Sequence, residues 1–402
     1  MTIILHDNMK CGLCHSKTIP FLDLGQQPLA NKYPKKEDFA KEDFFPLNVL
    51  FCPTCKNVQL GTIISRERMF EDYYYLSSVN QGLVRHFKKL AQKQKGAHFV
   101  VDLGSNDGIF LKPLKQMGIK AIGVEPSINV SKIANDNGLE TINSFFDAAT
   151  VKKIIQTYGK SDVVVTSSVF THLEDPHTFT EDVKALMTDD GTFIVEVEYI
   201  GHILDTVQFE RFYLDRIFYY SLSSLDKFFK SHGMHISDCE KIEMHGTSVR
   251  VFAKKGAGKA SARAEKILKE EVRTLTVANM QTFKKKVADQ TAAFKKKLEL
   301  YKKSGLLVAG YGAPARVATI TNYGRIGPSL IEFIVDDSPL KQDRYSPGMH
   351  IPIAPKTFLD AKEPKPDVLV VFAFEYFDDI KKKLGKAARY RYLFPIPPRE
   401  VR

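Results

Sequence analysis

The chain has 402 residues, 44% of them hydrophobic and 26% charged, with a formal net charge of +11. These are ordinary globular proportions, and the length predicts two or three domains, each with its own core. No run of eighteen apolar residues occurs, and Met1 to Asp7 lacks a basic start before a long apolar segment, so neither a membrane-spanning helix nor a secretory signal is expected and a cytoplasmic protein is.

The first elements are two CxxC pairs, Cys11-Gly12-Leu13-Cys14 and Cys52-Pro53-Thr54-Cys55. Each CxxC turn brings two thiolates to one metal, and two turns complete a tetrahedral shell. Cys11, Cys14, Cys52 and Cys55 therefore predict a structural zinc ion in a small domain over residues 1–65, with no position left for a catalytic water. Cys239, the remaining cysteine, reads as an ordinary core residue.

A second domain is predicted over residues 66–256. It opens near Tyr73-Tyr74-Tyr75, whose phenols cannot all face one core because neighbouring side chains diverge. Residues 98–101 are apolar and β-branched enough for a buried parallel strand, followed by the turn Asp102-Leu103-Gly104-Ser105-Asn106-Asp107-Gly108. A second strand, residues 120–124, ends in Glu125, whose carboxylate suits both hydroxyls of a ribose. The glycines are spaced GxxxG, not GxGxxG, and carboxylates at Asp102 and Asp107 would repel a pyrophosphate but suit a sulfonium or an amino group. The turn thus points to S-adenosylmethionine, with Asp102, Gly104, Ser105, Asn106, Gly108 and Glu125 as contacts. The fourth strand, residues 161–168, places Ser168 and His172 beside the same cofactor, since ligands lie at the carboxyl ends of such strands. A fifth strand at 192–198 and two more near 234–241 and 247–253 complete a doubly wound sheet.

Residues 254–303 carry fifteen Lys and Arg against five Asp and Glu, nearly the whole charge excess. Apolar residues at helical spacing predict amphipathic helices, a linker over 257–304 with its lysines solvated, so no nucleic-acid partner is expected. Residues 305–402 repeat the strand, glycine turn and helix pattern in Gly310-Tyr311-Gly312-Ala313-Pro314-Ala315-Arg316, predicting a smaller Rossmann-like unit. Free amides near that helix start would suit a phosphate, with Arg316 adding charge.

The fold class is therefore α/β: a four-cysteine zinc subdomain, a class I methyltransferase domain of Rossmann type and a second, smaller Rossmann-like domain. This order resembles the sugar C-methyltransferases that act on nucleotide-linked deoxysugars. The resemblance spans essentially the whole chain and rests on FLDLGQQPLAN after the first knuckle, YYYLSS at 73–78, DLGSNDG at 102–108 and GVEPS at 123–127. It extends through FYYSLSSL at 218–225, HGTSVRVF at 245–252, GYGAPAR at 310–316 and VDDSPLKQDRYSPGMHIPI at 335–353.

One departure bears on mechanism. Where the family reads Tyr-His-Glu-His, this chain has Tyr213-Leu214-Asp215-Arg216. The resemblance implies that the last histidine removes a carbon-bound proton next to the sugar's 4-keto group, and a guanidinium, which stays protonated, cannot. Base duty would pass to Tyr213, Asp215, His172 or His245. Arg216 could instead hold an enolate or a phosphate. The substrate is then expected near Tyr75, Tyr213, Asp215, Arg216, His245 and Arg316, and is expected to be a nucleotide-diphosphate sugar. O-methylation of a sugar hydroxyl, or a non-catalytic protein that binds nucleotide sugar and cofactor, are the alternatives. An RNA methyltransferase is disfavoured, because Ser167-Ser168-Val169-Phe170 lacks the Asn/Asp-Pro-Pro-aromatic signature.

Overall fold

In each knuckle the residue after the second cysteine, His15 or Lys56, takes a left-handed conformation (φ 58° and 67°) that reverses the chain. The reversed amides then donate back to the Cys11 and Cys52 carbonyls at 2.9 and 2.8 Å. The computed structural model describes residues 3–5, 9–64, 76–243, 247–385 and 390–401. Between and beyond the knuckles run β1 (Ile3–Leu5), β2 (Ile19–Pro28), β3 (Phe44–Phe51), β4 (Val58–Leu60) and β5 (Thr62–Ile64), with β1 paired to β5. The strands β2, β3 and β4 form an antiparallel sheet whose fourth strand, Phe218–Tyr219, comes from the middle of the chain. The zinc-binding domain is thus completed by a segment more than 150 residues downstream (218 against 64).

The middle domain alternates α1 (Gln81–Gln92), β6 (Phe99–Leu103), α2 (Leu111–Gln116), β7 (Lys120–Glu125), α3 (Ile128–Asp136), β8 (Thr141–Asn143), α4 (Ala148–Tyr158) and β9 (Ser161–Ser167). It continues with α5 (Pro176–Leu186), β10 (Met187–Glu198), α6 (Ile200–Thr206), β11 (Phe218–Tyr219), α7 (Leu222–Ser231), β12 (Met234–Ile242) and β13 (Ser248–Lys255). Seven strands lie in the order β12-β13-β10-β9-β6-β7-β8, and β13 runs against both of its neighbours. The central strands are apolar along their length because helices cover both faces; all five residues of β6 are buried. The α1 helix starts at Asn80, whose side chain accepts from the Gly82 and Leu83 amides, and packs Leu83, Phe87, Leu90 and Ala91 inward.

Two helices, α8 (Ala262–Thr274) and α9 (Val277–Lys303), lead to the last domain. The sequence read them as a linker, but α9 buries Met280, Phe283, Val287, Phe294, Leu298 and Tyr301 along one stripe. These residues share a single apolar core with Phe21, Leu47 and Phe51 of the first sheet and with Ile320, Ile334 and Val370 of the last domain. The helix is a spine between domains rather than a tether. Its lysines face water as expected: Lys284, Lys285, Lys286 and Lys296 are exposed.

The last domain comprises β14 (Val308–Tyr311), α10 (Arg316–Gly324), β15 (Ile334–Val335), β16 (Arg344–Tyr345), β17 (Pro352–Ala354), α11 (Lys356–Ala361), β18 (Val368–Val371), α12 (Phe377–Leu384), β19 (Arg391–Pro395) and β20 (Pro398–Val401). The sheet order is β16-β17-β15-β14-β18-β19-β20, with parallel pairing from β17 to β19. It is the Rossmann-like arrangement expected from the glycine turn.

Candidate active site between three domains

The four knuckle sulfurs lie within 4.8 Å of one another. Cys11 and Cys55 Sγ are 3.6 Å apart, and Cys14 and Cys52 Sγ 3.5 Å. Zinc–sulfur bonds of about 2.3 Å in a tetrahedron set sulfurs about 3.8 Å apart, so the cluster fits the ion with little movement. The Leu13 amide at 3.5 Å and Asn57 Nδ2 at 3.9 Å donate to Cys11 Sγ, as a thiolate ligand requires. All four positions are protein thiols, so the zinc is structural. Cys239 is buried in β12, away from this set, as expected.

At the carboxyl end of β6 the glycine turn closes tightly on its neighbours. Gly104 has φ +77°, and a Cβ there would stand 2.2 Å from Val169 Cγ2. Gly108 has φ +80°, and a Cβ would meet Leu139 Cδ1 at 2.5 Å. Glu125, ending β7, accepts the Asn106 amide at 3.0 Å and the Ser127 amide at 2.9 Å, one on each oxygen. The Ser127 hydroxyl donates to the same carboxylate, so three of its roughly four lone-pair sites are used within the chain. Asp102 is 4% exposed, and burial, with the nearby charges of Glu125 and Glu196, pushes its carboxyl up to about 8. A buried acid pair with no cation paired to it among the described residues fits a ligand carrying a sulfonium and an ammonium group. Ser105 Oγ is also buried without a partner among the described residues. Asp107 differs from expectation: its Oδ2 accepts the Ser78 amide at 3.1 Å and hydroxyl at 2.5 Å, while Asn106 Oδ1 takes the Ser77 amide at 3.0 Å. Those bonds fasten the end of the YYYLSS segment over the turn. Ser168, left-handed at φ 60°, and His172 follow β9 on the same side.

Next to this turn the structure gathers Tyr213, Asp215, Arg216 and His172. The His172 Nδ1 contacts the Asp215 carbonyl, which fixes the ring proton on that nitrogen. Arg216 lies over the Tyr213 ring, 4.6 Å from its centroid, and its guanidinium pairs with Glu198 at the end of β10. Burial holds the Tyr213 phenol well above the usual range. Burial likewise pushes the Asp215 carboxyl up to about 7, against the pull of Arg216 and with the help of Glu198. Asp215 Oδ1 is shielded from solvent and has no hydrogen-bond partner among the described residues, whereas Oδ2 accepts from Asn31 Nδ2 at 3.4 Å. Tyr75 and His245 lie outside the described residues.

The sequence did not single out the two acids that organise this site. Glu196 and Glu198 alternate along β10 and so share one face of the sheet. Glu196 is fully buried and meets His86 at 3.0 Å, Ser167 at 2.6 Å and Arg250 at 2.6 Å. Burial alone would raise its carboxyl, but His86 and Arg250 bring it down to about 2. Glu198 holds both Arg211 and Arg216. Arg211 and Arg316 then share Glu375 at 2.9 and 2.6 Å, joining the middle and last domains. Two carboxylates inside an apolar strand, at its ligand-facing end, were the available signal.

In the last domain Asp336, just after β15, accepts the Ala313 amide at 2.6 Å and the Ser338 amide at 2.9 Å. This repeats the bonding of Glu125 to its own glycine turn. The Gly312 amide goes to the Val335 carbonyl at 2.7 Å, so of the turn's amides neither it nor that of Ala313 is open to a phosphate. Arg316 Nη2 donates to Glu375 at 2.6 Å, while its Nη1 is buried with no hydrogen-bond partner among the described residues.

Comparison with known proteins agrees with this layout. Family models match for a zinc binding domain at residues 11–70, a methyltransferase domain at 75–237 and a C-methyltransferase C-terminal domain at 243–397. The C-methyltransferase NovU of Streptomyces niveus is 32% identical over 98% of this chain and 96% of its own. The chain belongs to the C-methyltransferase family. The mitochondrial ubiquinone biosynthesis O-methyltransferase of Arabidopsis thaliana is 25% identical over 30% of this chain and 39% of its own. Among solved structures, the magnesium protoporphyrin IX methyltransferase of Synechocystis PCC 6803 with bound S-adenosylmethionine aligns at a TM-score of 0.33 and 16% identity, over 44% of this chain and 79% of that one. This C-methyltransferase uses S-adenosylmethionine and carries a zinc-binding domain.

Proposed function

We propose that the enzyme methylates carbon in a nucleotide-diphosphate-linked deoxysugar, at the position next to a 4-keto group, with Asp215 as the base. The observation that carries this reading is the Asp215 carboxyl: one oxygen has no partner among the described residues, and the group is poised near pH 7. A general base works best with a pKa near the working pH. Among the other candidates, Tyr213 is held protonated by burial, and His172, whose Nδ1–H donates to the Asp215 carbonyl, is the rival base through its other ring nitrogen. S-adenosylmethionine supplies an electrophilic methyl group, held through Asp102, Glu125 and the 104–108 turn. Asp215 takes the carbon-bound proton, and the neighbouring Arg216 offsets the negative charge that gathers on the substrate's enolate oxygen. The repeat of the Glu125 arrangement at Asp336 supports a nucleotide near the last domain, bound by groups other than the Gly312 and Ala313 amides.

The test is mass spectrometry of nucleotide sugars incubated with methyl-deuterated S-adenosylmethionine, pairing 4-keto sugars with their reduced counterparts. A label retained on the carbon skeleton of the keto sugar supports the proposal. A label lost as methanol from the reduced sugar means O-methylation instead. Cofactor binding without transfer to any member of the panel favours a binding protein.

A further inference from the structure

The zinc-binding domain reaches the site along two paths that both begin at a knuckle. After the second knuckle, β4 pairs with β11, Gln59 opposite Phe218 and Val58 opposite Tyr219. The Leu60 amide also donates to the Ile217 carbonyl at 2.9 Å, one residue from Arg216. The buried Gln59 side chain ties this pairing to the first knuckle, accepting from the Gly12 amide at 2.9 Å and donating to the Lys10 carbonyl at 3.1 Å. The segment that carries Asp215 is therefore suspended from the zinc-binding sheet.

The second path is β2, which leaves the first knuckle and runs ten residues, about 30 Å, to the opposite end of the sheet. There the connection to β3 lies on the last domain. Tyr33 donates its hydroxyl to the Ala313 carbonyl at 2.6 Å, Arg344 Nη1 donates to the Tyr33 carbonyl at 3.0 Å, and Glu42 accepts from His350 Nε2 at 2.7 Å. His350 also stacks on Phe39, with ring centroids 3.6 Å apart. Asn31, pinned between β2 and these contacts, donates its amide to Asp215 Oδ2.

We propose that the zinc-binding domain is the positioning arm of this active site, and that Asn31 is a positioning residue that orients the Asp215 carboxyl so that Oδ1 is presented to the substrate. The inference rests on the reading of Asp215 as the base. A donor on Oδ2 does two things: it fixes the rotation of the carboxyl, and it stabilises the anion that must accept the proton. The other groups facing Asp215 are Tyr213 and Arg216 on its own segment, Glu198 from β10 and His172 from the turn after β9. From the last domain, Arg316 approaches Tyr213. Asn31 is the contribution of the zinc-binding domain to this set.

The experiment is a 13C titration of the zinc-loaded enzyme labelled at aspartate Cγ, with the Asp215 signal assigned by its loss in Asp215→Asn. In Asn31→Leu the Asp215 midpoint is expected to rise by about one unit, the low end for one hydrogen bond to a charged group. Asn31→Ser keeps a donor and is expected to move it less. Zinc content is measured in each variant, so a misfolded knuckle is recognised. An unmoved midpoint in zinc-replete Asn31→Leu overturns the role of Asn31. The same variants are then followed by kcat/KM against pH, with whichever 4-keto nucleotide sugar accepts the methyl group. If the acidic limb persists unchanged in Asp215→Asn, the base assignment itself fails. If the limb disappears there but does not move in Asn31→Leu, only the positioning arm fails.

Discussion

Glu198 and Arg216 form an ion pair at the floor of the site, with 3% and 11% of their side chains exposed. The carboxylate that ends the fifth strand of the methyltransferase sheet thus anchors the residue that follows Asp215. The guanidinium in turn lies within reach of Asp215 and holds its carboxyl down.

Replacing Arg216 by methionine is expected to raise the acidic limb of kcat/KM by about one pH unit, since a neighbouring cation is lost. It also leaves Glu198 with Arg211 alone, at an expected cost of about 2–3 kcal/mol, because breaking a buried pair strands a charge. A pH–rate profile and a urea titration separate the two effects. Arg216→His is expected to keep Asp215 as the base, with the acidic limb still governed by the carboxyl. A profile that instead acquires a histidine limb would show that the imidazole has taken over.

Gly104→Ala is expected to weaken cofactor binding at least tenfold and to reduce turnover with it. The added methyl meets Val169 Cγ2 at 2.2 Å, on backbone at φ +77°. Because the obstacle is a side chain, Val169→Ala in the same chain should recover part of the loss, leaving the backbone strain. Calorimetric titration with S-adenosylmethionine measures both. Full affinity in Gly104→Ala would remove the turn from the cofactor site.

Binding of S-adenosylmethionine is expected to release a proton from Asp102. In the free enzyme this carboxyl titrates near pH 8, raised by burial. A bound cation lowers it again, so affinity should increase as pH rises towards 8 and level off above. The raised value has a consequence for the free enzyme as well. The protonated form is favoured by folding, so this contribution to stability is complete below the unfolded pKa near 4 and is lost as pH rises through 8. Titrations in buffers of different ionisation enthalpy report the proton directly, and Asp102→Asn should abolish the portion of proton release due to this group.

Arg250→Leu is expected to destabilise the protein by about 3 kcal/mol. It strips the fully buried Glu196 of its guanidinium partner and leaves it to His86 and Ser167. The double change Arg250→Leu with Glu196→Gln should cost less than the single one, an outcome that a double-mutant cycle in urea would show.

Much of the architecture could be read from residue spacing. The paired CxxC turns announced the metal cluster, and the glycine turns with their following acids announced both Rossmann-like sheets. What local pattern could not convey is how segments distant in sequence are shared between domains. Phe218–Tyr219 has the look of an ordinary strand fragment, yet it completes the sheet of the zinc-binding domain. Residues 277–303 carry a helical stripe, but periodicity does not say that three layers of protein will bury it. At the site, the sequence named Tyr213, Asp215 and Arg216 together, and the structure adds their partners. Glu198 and Asn31 went unnoticed because each acts through a contact that local pattern does not show, Asn31 with a residue 184 positions away, and Glu375, which joins Arg211 to Arg316, lies 59 residues beyond the latter.

The connection over residues 29–43 leaves the first domain and fastens to the last, touching Asp215 on the way. This limits how the enzyme can be recombined. Exchanging residues 305–402 for those of a relative would set a foreign surface against Tyr33, Phe39 and Glu42. A stable chimera must transplant the hairpin tip together with the tail, so the exchangeable unit is discontinuous along the gene.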